Sequence, residues 1–406
     1  MKFTELNLHP DLQESISAMG FIEATPVQEQ TLPVILDEKD LIACAQTGTG
    51  KTAAFIIPIL NKLAQQPTSN IDTLIIVPTR ELALQIDQQF VGLGYFLNVS
   101  SVPIYGGGDG DTWSSQKNAL VQGSNIVIAT PGRLLAHMNF GYVDFSHLKH
   151  LILDEADRML DMGFYEDILK IINELPKKRQ TLMFSATMPD KIRSLAKKIL
   201  SIPEEVNLAI SKPAENILQA AYLVYDNHKI ELVKKLLDGK DLKSVLIFSA
   251  TKKNVKSIRS ELKRQGLNVE EIHSDLDQKQ REQVMLDFKN RKIQILTATD
   301  ILARGIDIEE IDLVINFDVP GDAEDYVHRV GRTARAKSSG VAITFINESE
   351  QEKFKRIEEL IGISLLKLPT PPEIGESPEY NPKTQKSRKK KFRKKTYKKN
   401  KKQSAK

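Results

Sequence analysis

The chain has 406 residues, of which 41% are hydrophobic and 27% charged, as expected for a globular protein with room for two domains. The single cysteine, Cys44, excludes an internal disulfide and fits a reducing compartment. No run approaches the roughly eighteen apolar residues of a membrane span, and the residues after Met1 lack the apolar core of a signal peptide. We therefore expect a soluble cytoplasmic protein with no membrane contact.

Apolar runs alternate with helix-like stretches along the chain. Since near-continuous apolar strands between helices are typical of a parallel sheet covered on both faces, we predict an α/β protein. The first series of runs covers residues 41–44, 73–78, 125–130, 150–154 and 181–187, and the second covers 244–251, 268–273, 292–299, 312–318 and 340–346. Residues 201–217 contain two prolines and lose the alternation, so we place a domain boundary there. The predicted organisation is a first domain over 1–208, a second over 215–370, and a disordered Lys/Arg-rich tail over 371–406.

The segment "AQTGTGKT" (45–52) follows the first apolar run and opens a helix-like stretch, which is the context of a phosphate-binding loop. Gly48 and Gly50 allow the backbone to point successive N–H groups at one anion. Lys51 is expected to reach the β- and γ-phosphates, and Thr52 to bind Mg²⁺. A glycine turn that only caps a helix is the alternative. The predicted nucleotide-binding residues of the loop are Ala45, Gln46, Thr47, Gly48, Thr49, Gly50, Lys51 and Thr52.

Three acids follow the apolar run of "LILDEADRML" (151–160). Acids at the start of a helix are favoured by the helix dipole alone, so this segment by itself leaves two readings open. A phosphate loop, however, needs a metal partner at the end of another buried parallel strand. Asp154 has that position, and Glu155 next to it is suited to orient the water that attacks the γ-phosphate.

The sequence Asp154-Glu155-Ala156-Asp157 is the signature of the DEAD-box ATP-dependent RNA helicases, which the chain resembles over most of residues 1–350. The overall pattern is most similar to bacterial members of the RhlE type. The resemblance implies two tandem RecA-like domains and RNA-stimulated, Mg²⁺-dependent ATP hydrolysis coupled to local RNA unwinding and remodelling of ribonucleoproteins. It also implies a monomer that binds single-stranded and duplex RNA without sequence preference. The pathway stays open among ribosome assembly, decay and cold adaptation.

The resemblance also assigns residues in the first half. The segment "GFIEATPVQ" (20–28) resembles the adenine-recognition motif, with Ala24 where the family usually has proline; the implied ATP contacts are Phe3, Phe21, Thr25 and Gln28. The segments "PTRELA", "GG" and "TPGR" resemble the motifs that hold the RNA backbone; the implied contacts are Thr79, Arg80, Gly107, Thr130 and Arg133. In "SAT" (185–187), Ser185 and Thr187 are expected to bind Asp157 and couple the ATP state to duplex separation.

The second half carries further matches. "QKQR" (278–281) and "TDILARGIDI" (299–308) imply RNA contacts at Gln278, Arg281 and Thr299, with Asp307 near the nucleotide. "YVHRVGRTAR" (326–335) resembles the arginine-finger motif, with Ala334 in place of the family's glycine. Arg332 and Arg335 would reach the γ-phosphate when the domains close, and His328 would join the network around the attacking water.

The C-terminal end is strongly basic. The net charge of +4 conceals fourteen Lys and Arg and no acid in residues 383–406, which leaves the remaining chain at −10. We predict a tether that holds RNA with salt-sensitive affinity, in which Phe392 and Tyr397 stack on bases. A solvated end without a task is the alternative.

Two rival functions stay open from the sequence. One is a DNA helicase or translocase, which the adenine, DEAD, TPGR and SAT segments disfavour. The other is an ATP-gated RNA clamp or assembly scaffold with little unwinding, against which the complete hydrolysis set argues only weakly.

Overall fold

The computed structural model describes residues 1–45, 49–107, 110–208, 217–299, 311–333 and 340–382. The chain forms two compact units, Met1–Ser211 and Lys212–Lys406, which are treated separately below. In the described ranges no helix is both long and apolar enough to span a bilayer.

Unit 1 is built on a parallel sheet in which the described strands number seven, in the order β3-β4-β2-β5-β6-β1-β7. The strands are β1 (Leu41–Cys44), β2 (Thr73–Ile76), β3 (Ser101–Ile104), β4 (Ile126–Ala129), β5 (His150–Leu153), β6 (Gln180–Ser185) and β7 (Glu204–Asn207). Its helices are a 3₁₀ turn (Phe3–Glu5), α1 (Pro10–Ala18), α2 (Pro26–Leu36), α3 (Lys51–Gln65), α4 (Arg80–Leu93), α5 (Gly110–Gln122), α6 (Pro131–Met138), α7 (Ala156–Asp161), α8 (Tyr165–Asn173) and α9 (Asp190–Ile199).

Helices cover both faces of this sheet. Leu41 and Ala43 pack into a core shared with α1 to α4, whereas Ile42 packs into a second core shared with α6, α8 and α9. Successive side chains of a strand point to opposite faces, so a strand covered on both sides must be apolar at every position. This explains why β2, β4 and β5 are buried throughout.

Unit 2 has a parallel sheet whose described strands also number seven, in the order β10-β11-β9-β12-β13-β8-β14. The strands are β8 (Ile217–Leu223), β9 (Val245–Phe248), β10 (Val269–Ile272), β11 (Ile295–Ala298), β12 (Leu313–Asn316), β13 (Gly340–Ile346) and β14 (Leu366–Pro369). The described helices are a 3₁₀ turn (Asp226–His228), α10 (Lys229–Leu237), α11 (Lys252–Arg264), α12 (Gln278–Lys289), α13 (Ala323–Val330) and α14 (Gln351–Ile361).

The two sheets have the same topology. When the strands of each unit are numbered from its own start, both orders read 3-4-2-5-6-1-7. Strand β8 therefore takes the place of β1, and β12 the place of β5. The predicted fold class, two tandem parallel-sheet α/β domains, is confirmed.

The predicted start of the disordered tail is wrong for residues 371–382. The Gln351 side chain fixes this segment on α14, because its Nε2 donates to the Glu379 carbonyl at 2.7 Å and its Oε1 accepts from the Asn381 N–H at 2.5 Å. Tyr380 also donates its hydroxyl to Glu358 at 3.2 Å. The predicted tether, including Phe392 and Tyr397, lies outside the described residues.

Candidate ATP and RNA sites

The phosphate loop joins the end of β1 to the start of α3. Lys51, the first residue of α3, is only 5% exposed, and its Nζ donates to the Ala45 carbonyl at 2.6 Å. Gly50 has a φ of +90°, and a Cβ there would lie 2.6 Å from Nε2 of Gln28, so both the backbone conformation and the space require glycine. Thr49 and Thr52 flank these residues on the loop and in the first turn of α3. Gln46, Thr47 and Gly48 lie outside the described residues.

Gln28 connects the predicted adenine motif to this loop. Gln28 lies on α2, and its side chain is only 1% exposed. Oε1 accepts from the Thr25 N–H at 2.9 Å, and Nε2 donates to the Gly50 carbonyl at 3.0 Å. The amide therefore fixes the start of α2 against the loop that follows β1.

Phe3, which the family resemblance implies as an ATP contact, is a buried core residue. Its ring is buried in the core of unit 1 and packs edge-on against Phe21, with the ring centroids 6.0 Å apart. Phe21 itself is only partly buried. The Phe3 ring therefore supports the Phe21 ring from the core, and its contact with ATP stays a prediction.

Asp154 follows β5 directly, and its side chain is almost completely buried, at 3% exposed. One carboxylate oxygen accepts from the Glu155 N–H at 2.9 Å. Burial raises the pKa of Asp154 to about 6, which the positive charge of Lys51 partly opposes. A buried carboxylate in this state is well matched to a cation that can replace the lost hydration.

Glu155 lies in the left-handed backbone region, with φ and ψ both 49°, as the N-cap of α7. Such a conformation costs a non-glycine residue about 1–3 kcal/mol and is found mainly at functional sites. Its Oε2 accepts from Nη1 of Arg158 at 2.9 Å, and both side chains are nearly buried. Arg158 was not predicted, although its position three residues after Glu155 on a helix is a recognisable signal.

Asp157 and the "SAT" segment are in contact, as the resemblance implied. Oδ2 of Asp157 accepts from the Thr187 N–H at 2.9 Å, the Thr187 hydroxyl at 3.0 Å and the Ala186 N–H at 3.1 Å. The Ser185 hydroxyl accepts from the Asp157 N–H at 3.3 Å and donates to the Thr187 carbonyl at 2.7 Å. The start of α7 is thereby bound to the end of β6.

The predicted RNA contacts of unit 1 lie along the carboxyl ends of three neighbouring strands, β3, β4 and β2. Thr79 caps α4 by accepting from the Leu82 N–H at 3.3 Å, and Thr130 follows β4 directly. Gly107 has a φ of +87° with open space around it. The Arg80 guanidinium lies 4.3 Å from the Tyr105 ring centroid, and that of Arg133 lies 4.3 Å from the Trp113 ring centroid.

Fewer of the predicted residues of unit 2 can be placed. Thr299 follows β11 and donates its N–H to the Ile272 carbonyl at 3.3 Å, while Nε of Arg281 donates to the Leu276 carbonyl at 3.0 Å. His328 lies on α13, and Arg332 follows that helix and is mostly buried. The side chain of Gln278, and the whole of Asp307 and Arg335, lie outside the described residues.

Comparison with known proteins agrees with this geometry. The family model for DEAD/DEAH box helicases matches residues 25–195, and the model for the helicase conserved C-terminal domain matches residues 228–337. ATP-dependent RNA helicase CshA of Limosilactobacillus reuteri is 42% identical over 91% of this chain and 74% of its own length. CshA of Bacillus subtilis (strain 168), a DEAD-box ATP-dependent RNA helicase, is 42% identical over 88% of this chain and 72% of its own length.

Solved structures match both units. S. cerevisiae Dbp5 bound to RNA and ADP BeF3 has a TM-score of 0.81 and 31% identity, covering 91% of this chain and 95% of that one. Mss116p bound to ssRNA and AMP-PNP has a TM-score of 0.80 and 31% identity, covering 92% of this chain and 80% of that one.

A phosphate loop, a buried acid beside it and two RecA-like sheets define an ATP-hydrolysing enzyme. The chain belongs to the DEAD-box ATP-dependent RNA helicases, whose members are RNA-dependent ATPases. The resemblance to RhlE-type members holds at the level of the family, since the two relatives named here are CshA helicases.

Proposed function

We propose that unit 1 binds ATP at the carboxyl ends of β1 and β5 and hydrolyses it with a water molecule positioned by Glu155. Lys51 binds the β- and γ-phosphates, and Gln28 recognises adenine while it keeps Gly50 in place. The observation that carries this proposal is the division of three neighbouring acids among three different partners. The charge of Asp154 is partly offset by Lys51, Glu155 is bound to Arg158, and Asp157 is bound to the "SAT" segment.

The residues present fit a bound Mg²⁺. The Asp154 carboxylate is buried, accepts a backbone N–H on one oxygen and lies close enough to Lys51 for its charge to act on the pKa. Thr52 lies in the first turn of the helix that Lys51 begins. Asp154 and Thr52 would hold the ion, which supplies charge neutralisation on the β- and γ-phosphates.

RNA binding would occupy the same edge of the sheet, at the carboxyl ends of β2, β4 and β3. Arg80 and Arg133 supply positive charge for backbone phosphates, and the hydroxyls of Thr79 and Thr130 supply donors beside them. Contacts to phosphates and sugars position a strand without reading its sequence, so we propose local duplex separation without sequence preference. The contact of Asp157 with Thr187 would couple the ATP state to these RNA contacts.

The test is the RNA-stimulated release of phosphate by the Glu155→Gln variant. We expect the rate to fall by about 10²–10⁴, because a positioned acid or base contributes that much to proton transfer, while ATP still binds. Glu166→Gln, a change to an exposed acid in the first turn of α8, is the matched control and should retain the wild-type rate. An unchanged rate in Glu155→Gln would show that another group orients the water.

The same assay separates the rival nucleic acids. Single-stranded RNA and DNA of one sequence are compared at equal concentration as stimulators. We expect stimulation by RNA to exceed stimulation by DNA, since 2′-hydroxyl contacts distinguish them. Equal stimulation would favour a DNA helicase or translocase instead.

A further inference from the structure

Both of the proposed RNA-binding arginines of unit 1 lie on aromatic rings from one short stretch of chain. Tyr105 follows β3 directly, and Trp113 lies in the first turns of α5. Each guanidinium lies 4.3 Å from the centroid of its ring, Arg80 on Tyr105 and Arg133 on Trp113. The two arginines come from different helices, α4 and α6, so their common environment is supplied by the residues around the start of α5.

Gln116 connects the two aromatic positions. Its Nε2 donates to the Tyr105 carbonyl at 3.1 Å, which leaves its Oε1 as an acceptor. Oε1 accepts from Nε of Arg133 at 2.8 Å, and it lies 3.2 Å from Nε2 of His137. The Gln116 side chain is nearly buried, so these contacts are protected from water.

A histidine also stacks on the Trp113 indole. The His137 ring is parallel to the Trp113 indole, at 12° and 3.9 Å between centroids. Since His137 and Arg133 are four residues apart on α6, they leave the helix on the same side and both meet the indole. Because Oε1 of Gln116 can only accept, Nε2 of His137 carries the hydrogen that points to it, and Nδ1 of the neutral ring accepts from the Tyr142 hydroxyl. Burial lowers the pKa of His137 to about 4, so the ring is neutral at pH 7.

The Arg133 guanidinium is therefore held by its environment before any ligand arrives. Nε is bonded to Gln116, the flat face lies over Trp113, and Nη2 is buried with no hydrogen-bond partner in the described part of the chain. A free arginine has about 2 kcal/mol of rotamer entropy to lose on binding, which a guanidinium fixed in advance has already lost.

We propose that Tyr105 and Trp113, joined by Gln116, are positioning residues that orient Arg80 and Arg133 for the phosphates of an RNA strand. The proposal rests on the function proposed above for those two arginines. It adds that RNA affinity depends on aromatic side chains that do not themselves contact RNA. The competing explanation is that the rings serve only to pack α5 against its neighbours.

The first experiment measures the RNA concentration that half-saturates ATP hydrolysis. Trp113→Leu keeps an apolar side chain but removes the ring face, and we expect half-saturation to need about two- to fivefold more RNA, the size of a cation–π contact. Trp113→Phe restores a ring face and should recover most of the loss. A packing role predicts a loss in the rate at saturating RNA or in stability; a positioning role leaves that rate close to the wild-type value.

A double-mutant cycle tests whether Trp113 affects RNA binding through Arg133. In an Arg133→Ala background, Trp113→Leu should produce no further change in half-saturation. Additive effects, or wild-type half-saturation in Trp113→Leu, would overturn the positioning proposal. If Arg133→Ala alone leaves half-saturation unchanged, the proposed role of Arg133 itself fails, and the two failures are thereby distinguished.

The protein also contains its own reporter, because Trp113 is its only tryptophan. Titration with single-stranded RNA should change the intrinsic fluorescence with the same midpoint as the stimulation of ATP hydrolysis. Arg133→Ala should alter the emission without RNA and abolish the RNA-dependent change. Tryptophan fluorescence that does not change at saturating RNA would contradict the proposal.

Discussion

Each unit carries a lysine and an aspartate at equivalent positions of its own sheet, but the two lysines have different partners. Lys51 begins α3 after β1, and Lys229 begins α10 after β8; Asp154 follows β5, and Asp318 lies just after β12. In unit 1, Lys51 is bonded to a backbone carbonyl of its own loop. In unit 2, the 1%-exposed Lys229 lies 3.1 Å from Asp318 and 3.2 Å from Glu350.

The two aspartates differ accordingly in their pKa. Burial raises the pKa of Asp154 to about 6, and Lys51 offsets this only in part. Burial also acts to raise the pKa of Asp318, but the charge of Lys229 and hydrogen bonds from Ser249 and the Ala250 N–H outweigh it, and the pKa is lowered. In unit 2 the charges of Lys229 and Asp318 satisfy each other, whereas unit 1 leaves a buried acid that a metal and a nucleotide can satisfy.

The largest effects are expected from replacing the two lysines, Lys229 on stability and Lys51 on ATP binding. Lys229→Met should lower the free energy of unfolding of unit 2 by about 3–5 kcal/mol, because it leaves buried carboxylates without their cation. Lys51→Met should change stability little but remove ATP binding. Hydrogen exchange in β12 and β5 measures the two units separately, with the exposed Lys252→Met as control. Equal losses of protection in both units would show that the two lysines are alike.

Neutralising each aspartate should have opposite effects. Without nucleotide or Mg²⁺, Asp154→Asn should stabilise the protein at pH 8 by up to about 3 kcal/mol, since the raised pKa means that the ionised carboxylate opposes folding above pH 6. The gain should shrink as the pH falls through 6. Asp318→Asn should destabilise, because a lowered pKa stabilises the fold wherever the carboxylate is ionised. Urea unfolding at several pH values checks both signs, and a destabilised Asp154→Asn would refute the comparison.

A smaller effect is expected from Glu350→Gln. Glu350 accepts the Val319 N–H at 3.2 Å besides its contact with Lys229, and Asp318 remains to balance the lysine in the variant. Burial raises the pKa of Glu350 in spite of Lys229, so the ionised carboxylate also opposes folding, and this offsets part of the lost contact with the lysine. We therefore expect a change of less than about 1.5 kcal/mol, the size of one buried hydrogen bond. The thermal midpoint of unit 2 reports it. A loss as large as that of Lys229→Met would mean that Glu350 alone balances Lys229.

The apolar runs of the sequence predicted the buried strands of both sheets and missed β3, β7, β8 and β14, in which most positions are exposed or half-exposed. Every fully buried strand of unit 1 coincides with a largely apolar run in the sequence, because a strand covered on both faces is expected to be mostly apolar. Strands β3, β7 and β14 lie at sheet edges, where most positions are exposed or half-exposed, and no such run exists. Strand β7 falls inside the segment interpreted as a domain boundary.

The contacts of the candidate sites were likewise predicted only where a sequence motif marked the residues. The contact of Asp157 with Thr187 followed from motifs whose order along the chain resembles the family. The contact of Lys229 with its two buried acids had no such signal, because Asp318 and Glu350 lie 89 and 121 residues further along the chain. Trp113 lies in none of the motifs that carry the family resemblance, and only the structure shows that its ring lies against the Arg133 guanidinium.

The number of nucleotides that one chain binds tests most directly whether the ATP site belongs to unit 1. Calorimetric titration with a non-hydrolysable ATP analogue in Mg²⁺ should give one site in the wild type, one in Glu350→Gln and none in Lys51→Ala. Two sites in the wild type, or a site that survives Lys51→Ala, would contradict the claim that only the strand ends of unit 1 accept the nucleotide.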